Sequence, residues 1–342
     1  MNNNGPTMRD VAKQADVSLG TASNVLNNKG NVSAEVRNRV LSAVNTLGYK
    51  HPVRLASLSM VPLSVLGVIS KRDPAPAPAI NPFYSHVIAG IDHECQRQNL
   101  SLMYANVDVD ELNRPNALPP MLLERQVDGI IMVGTFVEDT IHRLGKSVNM
   151  PVVLVDGYAP GSVYDSIVSD NLMGAFHAVK YLIDLGHTRI GLIGSGANAY
   201  PSIRERRKGY VKALRSAGIQ NELIEDSPLS RAGGYNATVA LLQRTPSITA
   251  IFACNDEVAI GAMTAAREMG RLIPDDLSLV GFDDIDLAQE ISPTLTTVHV
   301  DKVLMGVLAV RHLRDRAETP GRPAITTTLG TNLIIRESVR PV

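Results

Sequence analysis

The chain of 342 residues contains no tryptophan, and aromatic residues make up only 4% of it. Intrinsic tryptophan fluorescence therefore cannot report on its folding or on ligand binding. Only two cysteines are present, Cys95 and Cys254, and they lie far apart in contexts typical of a helix and a strand. We expect both to be free, buried thiols, which is typical of a protein of the reducing cytosol.

Long hydrophobic runs are also missing. No uninterrupted apolar stretch reaches the roughly 20 residues that a membrane-spanning helix needs. The N-terminal sequence MNNNGPTMRD lacks the apolar segment of a signal peptide. The sequence thus predicts a soluble, cytoplasmic protein, and its length allows two or three domains with buried cores.

Motifs for catalysis or metal binding are not apparent, because no Cys/His pair, paired carboxylates or metal-ligand spacing stands out. His86 and His93 lie seven residues apart on one predicted helix, but two ligands would leave a metal site half empty. The glycine-rich GSGAN (194–198) lacks the Lys-Ser/Thr of a phosphate loop and the later glycine of a dinucleotide fingerprint. We therefore predict a non-enzyme without cofactor or metal.

Charge is divided unevenly along the chain, although the formal net charge is only −1. Residues 1–59 carry seven Lys/Arg and three acidic residues, a net charge of +4, whereas the remainder carries a net charge of −5. A basic segment attached to an acidic body suits binding to nucleic-acid phosphates. A charge of +4 is also compatible with an ordinary protein surface.

The segment TMRDVAKQADVSLGTASNVLN (7–27) predicts two short helices separated by a tight turn. Thr7 and Ser18 are expected to cap them, and Asp10 lies close to the capping-box position of the first. The apolar positions are Val11, Ala12 and Ala15, then Ala22, Val25 and Leu26. The outer positions of the second helix are Leu19, Gly20, Thr21 and Asn24. Such a helix enters the major groove in a helix-turn-helix, although a helical hairpin that only packs against the protein is the alternative.

A third helix is predicted over SAEVRNRVLSAVNTLG (33–48), because apolar residues recur at helical spacing and Gly48 suits its C-terminal end. From residue 63, apolar strands alternate with helices, which predicts parallel sheets covered on both faces. The strands are VLGVIS (65–70), LSLMYA (100–105), GIIMV (129–133), PVVLVD (151–156), SIVS (166–169), RIGLIG (189–194), AIFAC (250–254) and LSLVGF (277–282).

Five motifs stand out along the chain: TMRDVAKQADVS, VLNNKGNVSAEVRNRVLSAVNTLGY, NPFY, FACNDEVAIGA and LVGFDD. In these motifs and their order, the chain resembles the lactose-repressor (LacI/GalR-type) family of bacterial transcription regulators. The motifs cover essentially the whole chain. The resemblance implies an α plus α/β protein: a helix-turn-helix DNA-binding head, a hinge segment, and a two-lobed periplasmic-binding-protein-like core of doubly wound parallel sheets.

The resemblance also implies domain boundaries. The head comprises 1–48, the hinge 49–62 and the effector-binding core 63–342. We expect three chain crossings between the lobes, near 157–163, 288–294 and 321–327. The first lobe would contain about 63–157 and 294–321, and the second about 163–288 and 327–342.

By the same resemblance, several residues are expected to contact DNA. They are Thr7, Ser18, Leu19, Gly20, Thr21, Ser23, Asn24, Asn27 and Leu58. Leu58 falls where paired hinge helices of the family wedge a leucine into the minor groove. The match around it is imperfect, since Leu55-Ala56 stands where the family usually has Ala-Arg, and Pro52 is offset by one residue.

Polar and aromatic residues follow several predicted strands, where open α/β lobes bind ligands. Together they suit a neutral polyhydroxylated ligand, because carboxylates and amides can pair with hydroxyls and an aromatic ring can cover a sugar CH face. The residues implied by the family are Asn81, Phe83, Tyr84, Asp156, Arg204, Leu229, Asn255 and Asp283. Helix capping is the alternative for such Asn and Asp residues, and we assign Asp256 and Asn171 to caps first.

The chain departs from the family at two effector positions. Gly157 replaces an arginine that often follows the fourth strand, and Val300 replaces a polar residue that often follows TTVH. Both changes remove hydrogen-bonding capacity. A smaller or partly apolar effector, or a nucleoside, is therefore an alternative to the usual pentose or hexose.

The sequence thus predicts a cytoplasmic, nucleoid-associated regulator, a repressor controlled by a small sugar- or nucleoside-like effector between the core lobes. A homodimer on a palindromic operator is expected, since a two-fold protein matches a two-fold site and no C-terminal heptads are present. The rival functions are a transport-type sugar-binding protein and an enzyme acting on a sugar or nucleoside in the same cleft.

Overall fold

The computed structural model describes residues 7–26, 33–47, 63–72, 81–109, 116–134, 150–157, 164–196 and 199–342. The chain divides into two compact units, Met1–Ser59 and Met60–Val342. The predicted hinge 49–62, with Leu58, lies outside the described residues, and so does Asn27.

The first unit contains three helices, α1 (Met8–Gln14), α2 (Leu19–Leu26) and α3 (Ala34–Leu47). The predicted cap of α1 is confirmed as a capping box: the Thr7 side chain accepts from the Asp10 amide, and the Thr7 amide donates to Asp10 Oδ2 at 2.7 Å. The apolar faces meet in a small core of Val11, Ala15, Val25, Val40 and Ala43. The predicted three-helix head is therefore confirmed.

The second unit contains twelve strands and eight helices among its described residues. The strands are β1 (Val65–Arg72), β2 (Ser101–Asp108), β3 (Gly129–Val133), β4 (Val152–Val155), β5 (Asp165–Ser169), β6 (Ile190–Ser195), β7 (Leu223–Asp226), β8 (Ala250–Ala253), β9 (Ser278–Asp283), β10 (Thr296–His299), β11 (Thr326–Leu329) and β12 (Asn332–Ile334). The helices are α4 (Pro82–Arg97), α5 (Pro120–Leu123), α6 (Asn171–Asp184), α7 (Pro201–Ser216), α8 (Arg231–Arg244), α9 (Asp256–Glu268), α10 (Leu287–Glu290) and α11 (Lys302–Glu318).

The strands form two six-stranded sheets, one in each lobe. The first has the order β11-β5-β4-β3-β1-β2, and the second has the order β12-β10-β9-β8-β6-β7. The described pairs are parallel apart from β10 with β12, which is antiparallel. Helices cover both faces, so strands such as β3 and β4 are buried along their whole length. The predicted pair of doubly wound lobes is confirmed.

The chain crosses between the lobes later than the sequence predicts. Strand β5 pairs with β4 in the first sheet, although the sequence predicts it in the second lobe, and β10 pairs with β9 in the second sheet. The chain therefore crosses between β5 and α6, between β10 and α11, and between β11 and β12. Buried strands of both lobes have the same apolar pattern, so the sequence alone could not assign a strand to its sheet.

Two other sequence predictions about the core are confirmed. Helix α11 returns to the first lobe, where it packs against α4 and the β3–β5 strands. Cys95 and Cys254 are free thiols, and both are buried. Within the described segments, no helix combines the length and apolar character needed to cross a bilayer.

Candidate functional site

A cavity of about 820 Å³ lies between the two lobes, at the carboxyl ends of the parallel strands. Residues of both lobes line it, because β1 and β4 end at one wall while β6, β8 and β9 end at the other. It contains seven of the eight residues predicted to bind an effector: Asn81, Phe83, Tyr84, Asp156, Leu229, Asn255 and Asp283. The topology explains this convergence, since ligand sites of open α/β sheets form at that edge.

Arg204, the eighth predicted residue, does not reach this cavity, and the expectation is corrected. Its side chain is exposed and lines a separate groove on the outer side of α7. Arg206 lines the cavity instead. Residues two positions apart on a helix point in nearly opposite directions, about 200° around the axis. The run RERR gave no signal for which arginine faces inwards.

Arg206 is held on several sides by the second lobe. Its Nε donates to Asn171 Oδ1 at 2.9 Å, and its Nη1 donates to the Cys254 carbonyl at 2.6 Å. The guanidinium carbon lies 3.8 Å from the ring centroid of Phe282. Nη1 is also 3.0 Å from Asp283 Oδ1. Buried charges need such partners, so these contacts fix the guanidinium at the cavity wall.

Asn171 orients Arg206 and is not the cap of α6 that the sequence predicted. Asp170 caps that helix, with its side chain accepting from the Met173 amide at 3.0 Å. Asn171 donates to the Ser169 carbonyl at 3.1 Å, which leaves its Oδ1 directed at the arginine. The cap lies one residue earlier than predicted, because two adjacent polar residues both suit this turn.

Asp283 ends β9 in a strained backbone conformation, with φ of 111°. The Lys302 ammonium donates to its carbonyl at 2.6 Å and to the Asp284 carbonyl at 2.8 Å, which holds this turn. Burial raises the pKa of Asp283, although Arg206 and Lys302 oppose the shift. Its Oδ1 is close to Arg206, but the atoms are not aligned for a hydrogen bond, and this oxygen has no hydrogen-bond partner in the described part of the chain.

Asp156 is the corresponding carboxyl group of the first lobe. It follows β4 with φ of 55°, and its Oδ2 accepts from the Tyr84 hydroxyl at 2.8 Å. Burial raises the pKa of Asp156 to about 6, while the charge of Arg206 and the Tyr84 hydrogen bond act in the opposite direction. Arg206 thus influences a carboxyl group in each lobe.

Asn81 and Asn255 line the cavity and also cap helices. Asn81 Oδ1 accepts from the Phe83 amide at 3.0 Å, and Asn255 Oδ1 accepts from the Val258 amide at 2.9 Å. Capping and cavity lining were alternatives in the sequence, and both occur. Capping uses the carbonyl oxygen, so the amide nitrogen of each side chain stays available as a donor.

The predicted cap role of Asp256 is wrong. Its side chain accepts instead from the Ile285 amide at 2.9 Å and from the Thr297 hydroxyl at 2.6 Å. Burial raises its pKa to about 8, and the nearby Asp283 charge acts in the same direction. Asp256 therefore stabilises the turn after β9 and is not among the residues that line the cavity.

Two side-chain contacts between the lobes were not expected from the sequence. Lys71, at the end of β1, donates to the Tyr200 hydroxyl and lies 4.5 Å from that ring's centroid. His86 Nε2 on α4 is 3.4 Å from Asp286 Oδ2, beyond β9. The residues of each pair lie far apart in the sequence, so no local pattern predicts the contact.

The predicted DNA-reading positions lie on the outer side of α2. Leu19, Gly20 and Asn24 are exposed, whereas Ala22 and Val25 are buried in the head core. The Ser18 hydroxyl accepts from the Thr21 amide at 3.0 Å, as expected of a cap. Thr21 and Ser23 are partly buried. This side of α2 therefore presents a small, polar and apolar surface of the kind that can approach base edges.

A two-lobed, ligand-binding α/β core joined to a helix-turn-helix head defines a class of DNA-binding proteins with a small-molecule site. Residues 7–52 match the family model described as bacterial regulatory proteins, lacI family, and residues 179–339 match the periplasmic binding protein-like domain. The chain is 32% identical over 338 residues to the HTH-type transcriptional repressor PurR of Pasteurella multocida (strain Pm70), which covers 98% of each chain.

Solved structures agree. A crystal structure of the lac repressor dimer bound to operator and the anti-inducer ONPF has a TM-score of 0.71 at 27% identity, covering 98% of this chain and 100% of the other. A LacI family transcriptional regulator from Enterococcus faecium with bound ribose has a TM-score of 0.69 at 28% identity, covering 82% and 100%. The chain belongs to the lacI family of bacterial regulatory proteins. It is a DNA-binding transcriptional regulator, and the family consists of regulators rather than enzymes.

Proposed function

We propose that the protein is a cytoplasmic, nucleoid-associated repressor whose operator affinity is set by a neutral polyhydroxylated molecule, sugar-like or nucleoside-like, bound in the cavity between the lobes. The observation that carries the proposal is the position of Arg206. It lies 3.0 Å from Asp283, and its charge partly offsets the rise that burial causes in the pKa of Asp156 on the opposite lobe. A ligand bound here would contact charged groups of both lobes.

The balance of charge supports a neutral ligand. The described lining contains two cations, Lys71 and Arg206, and three carboxylates. One of the carboxylates, Asp226, pairs with Arg207 at 2.8 Å, which leaves Asp156 and Asp283 to balance the two cations. An anion or a cation would meet no net opposite charge, whereas hydroxyl groups find carboxylate acceptors and guanidinium or amide donors.

The lining also limits the chemistry of the ligand. Phe83 and Tyr84 pack edge to face with ring centroids 5.2 Å apart, and Leu229 adds apolar surface on the other lobe. Val300, which replaces a polar residue of related proteins, is buried in the core and is not among the lining residues. The polar groups are thus concentrated around Arg206, so we infer a ligand with hydroxyls on one side and an apolar face on the other.

A ligand that contacts both walls stabilises one relative orientation of the lobes. It changes operator affinity only by as much as its affinity differs between the two orientations, and the coupling is reciprocal. The lac repressor structure holds its DNA as a dimer. We infer a homodimer here too, in which the outer side of α2 reads each half of a palindromic operator.

Two experiments test this function. Selection of bound fragments from sheared genomic DNA should enrich one palindromic motif, and retention of DNA without a common motif would contradict sequence-specific operator binding. Mass spectrometry of small molecules released from the purified protein should identify a neutral hydroxylated compound that rebinds unchanged. Conversion of that compound by the protein would instead support an enzyme.

A further inference from the structure

A second concavity lies on the outer side of α7 and is strongly basic. It has a volume of about 550 Å³. Five Lys/Arg side chains line it together with Gly196, Val211 and Glu222, and we call it the α7 groove. The five are Arg204, Arg207, Lys208, Lys212 and Arg215.

Helical spacing places these cations on one side of the helix. Arg204, Lys208 and Lys212 follow each other at intervals of four residues, with Arg207 and Arg215 beside them. From Arg204 to Arg215 the cations extend over about 16 Å, at a rise of about 1.5 Å per residue. Like charges four residues apart destabilise a helix. Helix α7 nevertheless contains two such pairs, Arg204 with Lys208 and Lys208 with Lys212.

Protein carboxylates neutralise only part of this charge. Arg207 pairs with Asp226 at 2.8 Å, and Arg215 pairs with Glu222 at 3.2 Å. The other three cations have no carboxylate partner within the described ranges. One of them, Lys212, lies 5.3 Å from the ring centroid of Phe176. The groove therefore has an excess of three positive charges.

Positive charge is more concentrated here than in the core as a whole. Residues 204–215 hold six of the 26 Lys/Arg found beyond residue 59, a region with a net charge of −5. One of the six, Arg206, points inwards to the cavity between the lobes, and the other five line the groove. The groove is thus a basic site in an acidic body.

We propose that the α7 groove binds a small phosphorylated molecule at a site separate from the effector cavity. Arginine and lysine side chains together suit phosphate oxygens, since arginine offers paired donors and lysine a point charge. A volume of about 550 Å³ falls within the range of small-molecule sites, about 300–1,000 Å³. Glu222 lines the groove, and Asp226 pairs with Arg207 at its edge. These negative charges disfavour an extended polyanion such as DNA.

The groove adjoins the effector cavity. Gly196 lines both, and Arg207 of the groove pairs with Asp226, which lines the cavity. The same Asp226 oxygen accepts from the Ser195 hydroxyl at 2.9 Å. A phosphate that attracts Arg207 would therefore alter a carboxylate of the cavity wall, which gives the regulator a route to a second chemical signal.

Calorimetric titration of the full-length protein with inorganic pyrophosphate, at fixed ionic strength, tests the site. We expect saturable binding that weakens at least tenfold in the double variant Arg204→Gln/Lys208→Gln. Arg267→Gln is the matched control, because Arg267 is an exposed cation of the same lobe outside the groove. It should bind as the wild type does. Both substituted groove residues are exposed, and circular dichroism melting checks that the variants fold.

Equal pyrophosphate affinity in the wild type and the double variant would overturn the proposal, since the basic head would then account for the binding. Groove-dependent binding of double-stranded DNA or of an acidic peptide, without binding of pyrophosphate, would also overturn it. Operator binding by the double variant should equal that of the wild type. Its loss would count against a separate site, while wild-type operator binding leaves the proposed regulatory function intact whatever the titration shows.

Discussion

Nη1 of Arg206 lies 3.0 Å from Oδ1 of Asp283, inside a cavity whose opposite wall carries Asp156. Both residues of the ion pair belong to the second lobe. The positive charge of Arg206 also acts on Asp156 of the first lobe, where it opposes the effect of burial on the pKa of that carboxyl group. This arrangement places one fixed cation between two carboxyl groups on separate lobes. A hydroxylated ligand that bridges the carboxyl groups would therefore connect the lobes.

Removing the Asp283 carboxylate should make the regulator less sensitive to its effector. Hydrogen bonds to charged groups contribute roughly 1.5–3 kcal/mol each, so Asp283→Ala should weaken effector binding at least about tenfold. Calorimetry with the compound released from the purified protein measures this loss. Asp275→Asn is the control, because Asp275 is an exposed acid of the same lobe that pairs with Arg340. Undiminished affinity in Asp283→Ala would exclude Asp283 from the site.

Effector affinity should depend on pH through Asp156. Its pKa of about 6 means that the carboxylate is present above pH 6 and is lost as the pH falls below that value. If the carboxylate accepts ligand hydroxyls, affinity should be constant near pH 7–8 and fall by up to about tenfold per pH unit below 6. Asp156→Asn should make this profile less steep in a calorimetric series, and Asp283, whose pKa burial also raises, accounts for the remaining slope. Equal pH dependence in the wild type and the variant would contradict the assignment.

Asp165 should be essential for stability without contacting the ligand. It is fully buried and accepts from Arg316 at 2.6 Å, from Arg322 at 2.7 Å and from the Ile325 amide at 2.7 Å. Asp165→Ala removes the buried carboxylate that Arg316 and Arg322 share, and among the described residues only Arg322 keeps an ion pair, with Asp315. We therefore expect a loss of about 3–5 kcal/mol in the free energy of unfolding. Urea denaturation measures it, with the exposed Asp184→Ala as control. A loss below about 1 kcal/mol would show that the network is dispensable.

Asn24 should contribute to operator specificity rather than to general DNA affinity. Its side chain is exposed on α2, and an asparagine amide can pair with adenine N6 and N7 in the major groove. Asn24→Ala should cost about 1–3 kcal/mol on the selected operator and little on a scrambled duplex. Fluorescence anisotropy on both duplexes measures the difference. Equal losses on the two would mean that Asn24 contacts only the backbone of the DNA.

Local patterns predicted the elements of this protein well. The Thr7 capping box, the three head helices and the apolar strands of both sheets follow from capping chemistry and from hydrophobic periodicity. The convergence of Asp156, Asn255 and Asp283 follows from a topological rule, since all three lie at strand ends. These features depend on a few neighbouring residues or on one general property of parallel sheets.

The wrong predictions are of two kinds: which of two neighbouring residues faces the cavity or caps a helix, and which strands pair over long sequence distances. Arg204 and Arg206 differ by two helix positions, and Asp170 and Asn171 by one, yet only the structure decides which side chain faces the cavity and which caps. The sequence places strand β5 in the wrong sheet, because its apolar pattern fits either lobe and one of its two partners, β11, is distant in sequence. Tertiary packing, rather than local preference, determines these features.

The most direct test is an operator titration in the presence and absence of the compound recovered from the cavity. Fluorescence anisotropy with the selected palindrome should give operator affinities that differ at least about fivefold with and without saturating ligand, the lower end of typical allosteric coupling. Asp283→Ala should bind the operator as the wild type does without ligand and should need at least about tenfold more ligand for the same change in operator affinity. Equal wild-type affinities with the cavity occupied and empty would contradict the proposal that this site governs DNA binding.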